Sequence, residues 1–254
     1  MSKVKTLILR APGTNCDEET VFAFEKAGAE TSLVHIWQLI RQEKQLRDYQ
    51  IIVFPGGFTY GDDLGAGRVL ANEIRLKLGE DMEHFVESGF LILGICNGFQ
   101  VLVKAGILPG LKSQQELTLT TNDSNNFECR WVYLSVNKSS GCIFTKGIER
   151  LYLPVAHGEG KVVTTTETLK KLNISMYYTD EKGNRSASYP YNPNGSLKNI
   201  AGICDSTGRI FALMPHPERH IVPSQHPGWL EGKAGKQGDG LKIFQNAVDW
   251  IEGL

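Results

Sequence analysis

The sequence predicts an α/β protein, an open, mostly parallel sheet with flanking helices, followed by a β-rich, partly antiparallel extension. Three observations carry that reading. Up to Ala105, short apolar runs alternate with helical patterns, the sequence form of a parallel sheet covered on both faces. Beyond Gly110, strand-like runs follow one another through Asn/Ser/Gly-rich turns, which suits antiparallel pairing. Neither a Ser/Gly linker nor an internal repeat interrupts the chain, so residues 1–254 are read as one domain.

The first strand is residues 6–10, followed by a loop over 12–16 and a helix over 17–27 that carries acidic residues in its first turn and ends at Gly28. Residues 31–36 form a second strand. A polar connection then leads to a third strand over 50–54, stopped by Pro55, Gly56 and Gly57. Residues 68–77 and 81–87 are helical, and residues 90–95, apolar throughout, suit a strand buried on both faces. In the second half, residues 117–120, 129–136, 151–155 and 175–179 are strands, with a weak helix over 166–172. Residues 200–204 and 210–214 form a hairpin through Asp205, Ser206, Thr207 and Gly208. A Gly/Pro/Lys-rich loop over 221–238 precedes a closing amphipathic helix, with Leu241, Phe244, Val248 and Ile251 on its inner face.

Composition removes several function classes. A formal net charge of -1 leaves no basic footprint for nucleic acid or an anionic membrane. The first residues enter a strand-like run without a secretory apolar region, and no apolar stretch approaches the ~20 residues that span a bilayer. A cytoplasmic protein is expected. The five cysteines (16, 96, 129, 142 and 204) follow neither C-x-x-C nor zinc spacing, so neither a disulfide framework nor a metal site is expected. Cys129, Cys142 and Cys204 lie in or beside strand-like runs and are read as packing residues.

Cys96 stands at the join of the apolar strand and a helix, flanked by Gly94 and Gly98 in a G-x-C-x-G pattern. This is the thiol counterpart of the nucleophile elbow, in which small neighbours allow a sharp strand-to-helix turn. Unpaired N–H groups and the positive end of the helix dipole favour thiolate over thiol at such a position. Taken alone, the pattern fits a small cysteine packed as a hydrophobe equally well. Thiol acyl transfer also needs a base, a group that orients it, and oxyanion donors. His216 sits just past a strand between two prolines, and in an extended segment Glu218 would point the same way. The residue after an elbow nucleophile donates its backbone N–H to the oxyanion, which points to Asn97. The second donor is expected at Gly56 or Gly57, at a neighbouring strand end. His157, Gly158, Glu159 and Gly160 read as a polar loop lining the site ahead of a metal site. The glycines of residues 61–67 lack both the P-loop Lys-Ser/Thr and the G-x-G-x-x-G spacing.

The run Phe-Pro-Gly-Gly at 54–57, Gly-Ile-Cys-Asn-Gly-Phe-Gln at 94–100 and Pro-His-Pro-Glu at 215–218 together resemble the three signatures of the class I, triad-type glutamine amidotransferases. Further segments resemble one subfamily, the glutaminase subunits of phosphoribosylformylglycinamidine synthase in purine biosynthesis. These are Pro-Gly-Thr-Asn-Cys-Asp at 12–17, Gly-Gly-Phe-Thr-Tyr-Gly-Asp at 56–62, Asn-Phe-Glu-Cys-Arg at 126–130, His-Gly-Glu-Gly at 157–160, Asn-Pro-Asn-Gly-Ser at 192–196, and Met-Pro-His-Pro-Glu-Arg at 214–219. The resemblance spans nearly the whole chain. It implies a flavodoxin-like amidotransferase fold, with Cys96, His216 and Glu218 as the triad, Gly57 and Asn97 as the oxyanion donors, and Gln100 as a contact for glutamine. It also implies partners: a large synthetase subunit that uses ATP and Mg, and a small accessory subunit, with no cofactor in this chain. Two other readings stand beside it, an amidotransferase subunit serving a different synthetase and a regulatory subunit that kept the fold without the chemistry. The segments at 164–185 and 221–238 are longer than the family's usual pattern.

Overall fold

The computed structural model describes residues 3–111, 115–185 and 188–254, so Met1 and Ser2 of the N-terminal run lie outside the described residues. In chain order the elements are β1 (Lys5–Arg10), α1 (Asp17–Lys26), β2 (Glu30–His35), α2 (Ile36–Ile40), β3 (Ile51–Phe54), α3 (Arg68–Lys77), α4 (Gly79–Glu87), β4 (Leu91–Ile95) and α5 (Asn97–Lys104). The second half adds β5 (Leu117–Thr120), β6 (Glu128–Val136), β7 (Arg150–His157), β8 (Lys161–Thr164), α6 (Thr166–Lys171), β9 (Ile174–Thr179), β10 (Ile200–Cys204), β11 (Ile210–Leu213) and α7 (Leu241–Glu252).

One nine-stranded sheet runs in the order β2-β1-β3-β4-β11-β10-β9-β6-β7. From β2 to β11 neighbouring strands are parallel, and from β11 to β7 every pairing is antiparallel. The central strands β3, β4 and β11 are buried along their whole length, as apolar runs covered on both faces must be. Right-handed crossovers put α1 and α3 on opposite faces, because β1 steps outward to β2 while β3 steps the other way to β4. On one face Phe24 of α1 meets Phe244 of α7 edge-on, with ring centroids 5.0 Å apart. The parallel half brings the C-terminal ends of β1, β3, β4 and β11 to one edge, where open α/β sheets place their ligands.

Four local expectations change. Residues 36–40 form α2, whose five residues are too few to show a helical period; the His35 side chain and Gln38 cap its first turn reciprocally. Residues 161–164 form β8, paired antiparallel with β5 as a second, two-stranded sheet. The segment after His216 is not extended, since Pro217–Arg219 is a turn of 3₁₀ helix. Cys142 and Cys204 are buried as expected, whereas Cys129 is exposed, because alternate side chains of β6 face solvent.

Candidate active site

Cys96 follows β4 directly and adopts φ 51° and ψ -103°, a conformation that side chains rarely take. Its N–H donates to Leu213 O of β11 at 2.8 Å, and its carbonyl accepts from Phe99 and Gln100 in the first turn of α5. The glycines around it are required by close approach. A Cβ on Gly98 would lie 1.9 Å from the Phe54 carbonyl oxygen, and one on Gly94 would lie 2.6 Å from Leu102. Cys96 is therefore held at the tip of a tight turn, and its thiol points toward the Ala156 carbonyl of β7 at 3.7 Å.

His216 reaches the same place from β11. Its backbone N–H is fixed by Pro154 O at 2.8 Å, and its Nδ1 lies 2.6 Å from Glu218 Oε1. Both side chains are buried. Burial acts to lower the imidazole pKa, but the Glu218 carboxylate, then the neighbouring Cys96, with thiol contacts from Cys16 and Cys96, outweigh it. The imidazole is held well above its ordinary range. Nδ1 is taken by the carboxylate, and His216 Nε2 makes no hydrogen bond among the described residues.

Cys16 completes the back of this pair. Its sulfur lies 3.9 Å from His216 Nδ1 and accepts from Arg219 Nη2 at 3.0 Å, while its own N–H donates to Gly56 O at 3.1 Å. Burial raises its thiol pKa, which favours the neutral form. Cys16, His216 and Glu218 offer ligand atoms within 4.8 Å of one another. The positive charge at that cluster is already supplied by the Arg219 guanidinium, and Nδ1 is bound to the carboxylate. The sequence left Cys16 unassigned. Its signal was its place at the C-terminal end of the first strand, where site residues gather.

Gly57 has φ +146°, and a Cβ there would meet Gly13 O at 2.6 Å. Phe58 donates to Gly13 O and Asn15 to Gly56 O, so Thr14 and Gly57 face each other as a non-hydrogen-bonded pair. In that geometry the Gly57 N–H turns away from the Pro12–Cys16 loop. Asn97 opens α5, where first-turn N–H groups have no acceptor within the helix. Its side chain is fully engaged. Oδ1 accepts from Thr59 N at 3.2 Å and Thr59 Oγ1 at 2.7 Å, and Nδ2 donates to Asp62 Oδ1 at 3.2 Å and Gln100 Oε1 at 2.9 Å. Gln100 in turn donates to Glu159 O at 2.6 Å, which ties α5 to the His157–Gly160 loop. These bonds use one N–H and one lone pair of the Gln100 amide.

That loop begins one residue after Ala156, whose carbonyl faces the Cys96 thiol, and stands on an asparagine framework that the sequence did not reveal. Asn122 Oδ1 accepts from Gly160 N at 3.0 Å and lies 3.2 Å from His157 Nδ1, while Asn122 Nδ2 donates to His157 O at 2.8 Å. Asn194 Nδ2 faces His157 Nε2 and the Tyr178 hydroxyl. Burial first, then the charge of His216, pushes the His157 pKa down to about 4, so its imidazole is neutral and structural.

The structure thus brings a cysteine at a strained elbow and a buried His–Glu pair to the C-terminal ends of neighbouring parallel strands. Residues 3–251 match the CobB/CobQ-like glutamine amidotransferase domain family, so the class is that of the glutamine amidotransferases. The phosphoribosylformylglycinamidine synthase subunit PurQ of Dehalococcoides mccartyi is 64% identical over 251 residues, covering 98% of each chain. The subunit of the same name from Methanococcus maripaludis is 46% identical over 265 residues, covering 97% of each. Among solved structures, a chain in the structure of PurLQS from Thermotoga maritima superposes with a TM-score of 0.77 at 33% identity, covering 98% of this chain and 100% of that one. The chain belongs to the PurQ family, the glutaminase subunits of phosphoribosylformylglycinamidine synthase. Among the described residues, no helix is long and apolar enough to cross a membrane.

Proposed function

We propose that Cys96, His216 and Glu218 act as the catalytic triad, with the Gly57 and Asn97 N–H groups as the oxyanion hole and Gln100 at the glutamine pocket. The single observation that carries this reading is the Cys96 elbow beside the buried His216–Glu218 pair, joined at 2.6 Å. Cys96 gives its proton to His216 and attacks the side-chain amide carbon of glutamine. The oxyanion is held by the two backbone donors, and the imidazolium, stabilised by Glu218, protonates the departing ammonia. A γ-glutamyl thioester remains. His216 then takes a proton from water, which releases glutamate and restores the thiol.

The ammonia passes to an ATP-dependent synthetase subunit, which converts formylglycinamide ribonucleotide to its amidine. The solved relative at 33% identity comes from PurLQS, and this supports a large synthetase subunit and a small accessory subunit as partners. ATP and Mg belong to the synthetase; this chain carries no cofactor of its own. Five unpaired cysteines support a reducing, cytoplasmic location. Free ammonia would be lost to solvent, so turnover is expected to depend on the partner.

Two experiments test the reading. A glutamine-mimicking electrophile labels Cys96 and spares the exposed Cys129, as mapped by mass spectrometry; labelling of Cys16 instead overturns the assignment. In the reconstituted complex, Cys96→Ala abolishes glutamine-dependent amidine synthesis while added ammonia still supports it.

A further inference from the structure

The two oxyanion donors come from separate pieces of the fold, Gly57 from the turn after β3 and Asn97 from the start of α5. A tetrahedral oxyanion needs both within hydrogen-bond range at once, so something must hold these pieces in register. We infer that Thr59 is the positioning residue that does so, by clamping the Asn97 side chain. This rests on the oxyanion reading above.

Thr59 lies two residues after Gly57 and is buried, as is Asn97. Both the N–H and the hydroxyl of Thr59 converge on the same atom, Asn97 Oδ1, at 3.2 and 2.7 Å. Asn97 Nδ2 then reaches Asp62 Oδ1 in the same turn, so the Asn97 amide bridges both ends of the Thr59–Asp62 turn. The other side of this segment is fixed independently. Gly56 O accepts from Asn15 and Cys16, Phe58 N donates to Gly13 O, and Tyr60 N donates to Pro12 O at 2.7 Å. Between these anchors Tyr60, Gly61 and Asp62 all adopt left-handed φ of 54°, 69° and 55°. Two non-glycine departures that flank one glycine persist only where surrounding contacts over-determine them. The clamp on Asn97 is one of those contacts, beside the bonds of the Tyr60 hydroxyl to Glu73 and of Gly67 N–H to Asp62 Oδ1, and it is the one that reaches the elbow. Its consequence is that the Gly57 turn cannot shift relative to the elbow without breaking the Thr59 bonds.

None of the Thr59 atoms touches the thiol, the imidazole or the carboxylate in the described contacts. The role is thus separable from nucleophile activation. In Thr59→Val the hydroxyl is lost with little change in shape, while the backbone N–H bond to Asn97 remains. Losing an oxyanion donor outright costs ~10²–10³ in turnover, and loosening one is expected to cost about 10-fold or more in kcat.

The test uses the full chain, with and without the synthetase subunit, and three readouts. Thr59→Val is expected to lower kcat for glutamine hydrolysis at least tenfold with KM within about twofold, and to weaken binding of an aldehyde analogue of glutamine by the same factor, since its hemithioacetal carries the oxyanion. Iodoacetamide alkylates Cys96 by direct displacement without an oxyanion, and its rate is expected to stay at the wild-type value. Thr59→Ser restores the hydroxyl and is expected to recover turnover. Should Thr59→Val fail to fold, Asn97→Ala, which removes the other half of the clamp, is measured by the same three readouts. Unchanged kcat, or a fall in alkylation equal to the fall in turnover, overturns the inference. If Cys96→Ala still binds the aldehyde as tightly as wild type, the nucleophile assignment itself fails, whatever Thr59 does.

Discussion

Glu218 Oε1 meets His216 Nδ1 at 2.6 Å although only Pro217 separates the two residues, because Pro217–Arg219 turns as a 3₁₀ helix and folds the carboxylate back onto the ring. Pro217 suits the first position of such a turn, where its missing N–H is not needed. The contact thus comes from a tight turn, while the extended segment expected from the alternating prolines would have spread the same two groups along one face.

Glu218→Gln keeps the shape and removes the charge. The carboxylate is the leading influence that holds His216 above its ordinary range, so the ionisation of the imidazole is expected to move down in pH. Turnover should fall about 10²-fold, the scale of general acid–base assistance. A pH profile of kcat/KM checks this, and a profile that keeps its position with wild-type turnover rules it out.

Backbone strain at Cys96 gives a second expectation. Cys96 has φ 51° with ψ -103°, a region that glycine enters without penalty. Cys96→Gly is expected to be more stable than Cys96→Ala by about 1–3 kcal/mol, with both inactive on glutamine. Urea unfolding of the two variants decides it; equal midpoints would mean that the elbow is not strained.

Gly98 lies where α5 crosses the end of β3. A methyl group there would meet the Phe54 carbonyl oxygen at 1.9 Å, a backbone atom that cannot rotate away. Gly98→Ala is expected to destabilise the protein by about 3 kcal/mol and to lower its soluble yield. A variant that unfolds at the wild-type denaturant concentration would disprove this packing.

His157 links stability to pH. Its pKa falls from 6.5 to about 4 on folding, so between these values only the unfolded chain takes up the proton. Stability therefore rises with pH across that window and is lost on acidification, by about 3 kcal/mol at most. His157→Asn keeps a donor toward Asn122 and removes the titration. Its stability is expected to lack that part of the slope between pH 4 and 6.5, measured as the difference from wild type.

Much of the site could be read from the chain because its chemistry is written locally. The G-x-C-x-G turn places small residues beside Cys96, and the apolar run before it marks a strand buried on both faces. His216 was legible as a strand-end histidine in the same way. Asn122, Asn194 and Thr59 were not legible, since each acts through a partner more than 30 residues away, and an asparagine in a turn cluster looks the same whether it faces water or His157. Short elements escaped for another reason, as the four residues of β8 are too few to show a period.

By itself, then, the sequence determined the alternation of strands and helices, the elbow at Cys96, and the residue types available at each strand end. These depend on neighbours along the chain, and backbone sterics act over a few residues. The order β3-β4-β11 was decided only by tertiary structure, for it requires the last parallel strand to insert beside β4 and hand over to an antiparallel extension. That insertion brings His216 and Glu218 to Cys96 and sets Arg219 against Cys16, while the pairing of β3 with β4 closes Thr59 onto Asn97. Burial then does the rest, since the His216 imidazole out of water takes its raised pKa from the groups packed against it, Glu218 foremost, and not from its place in the chain.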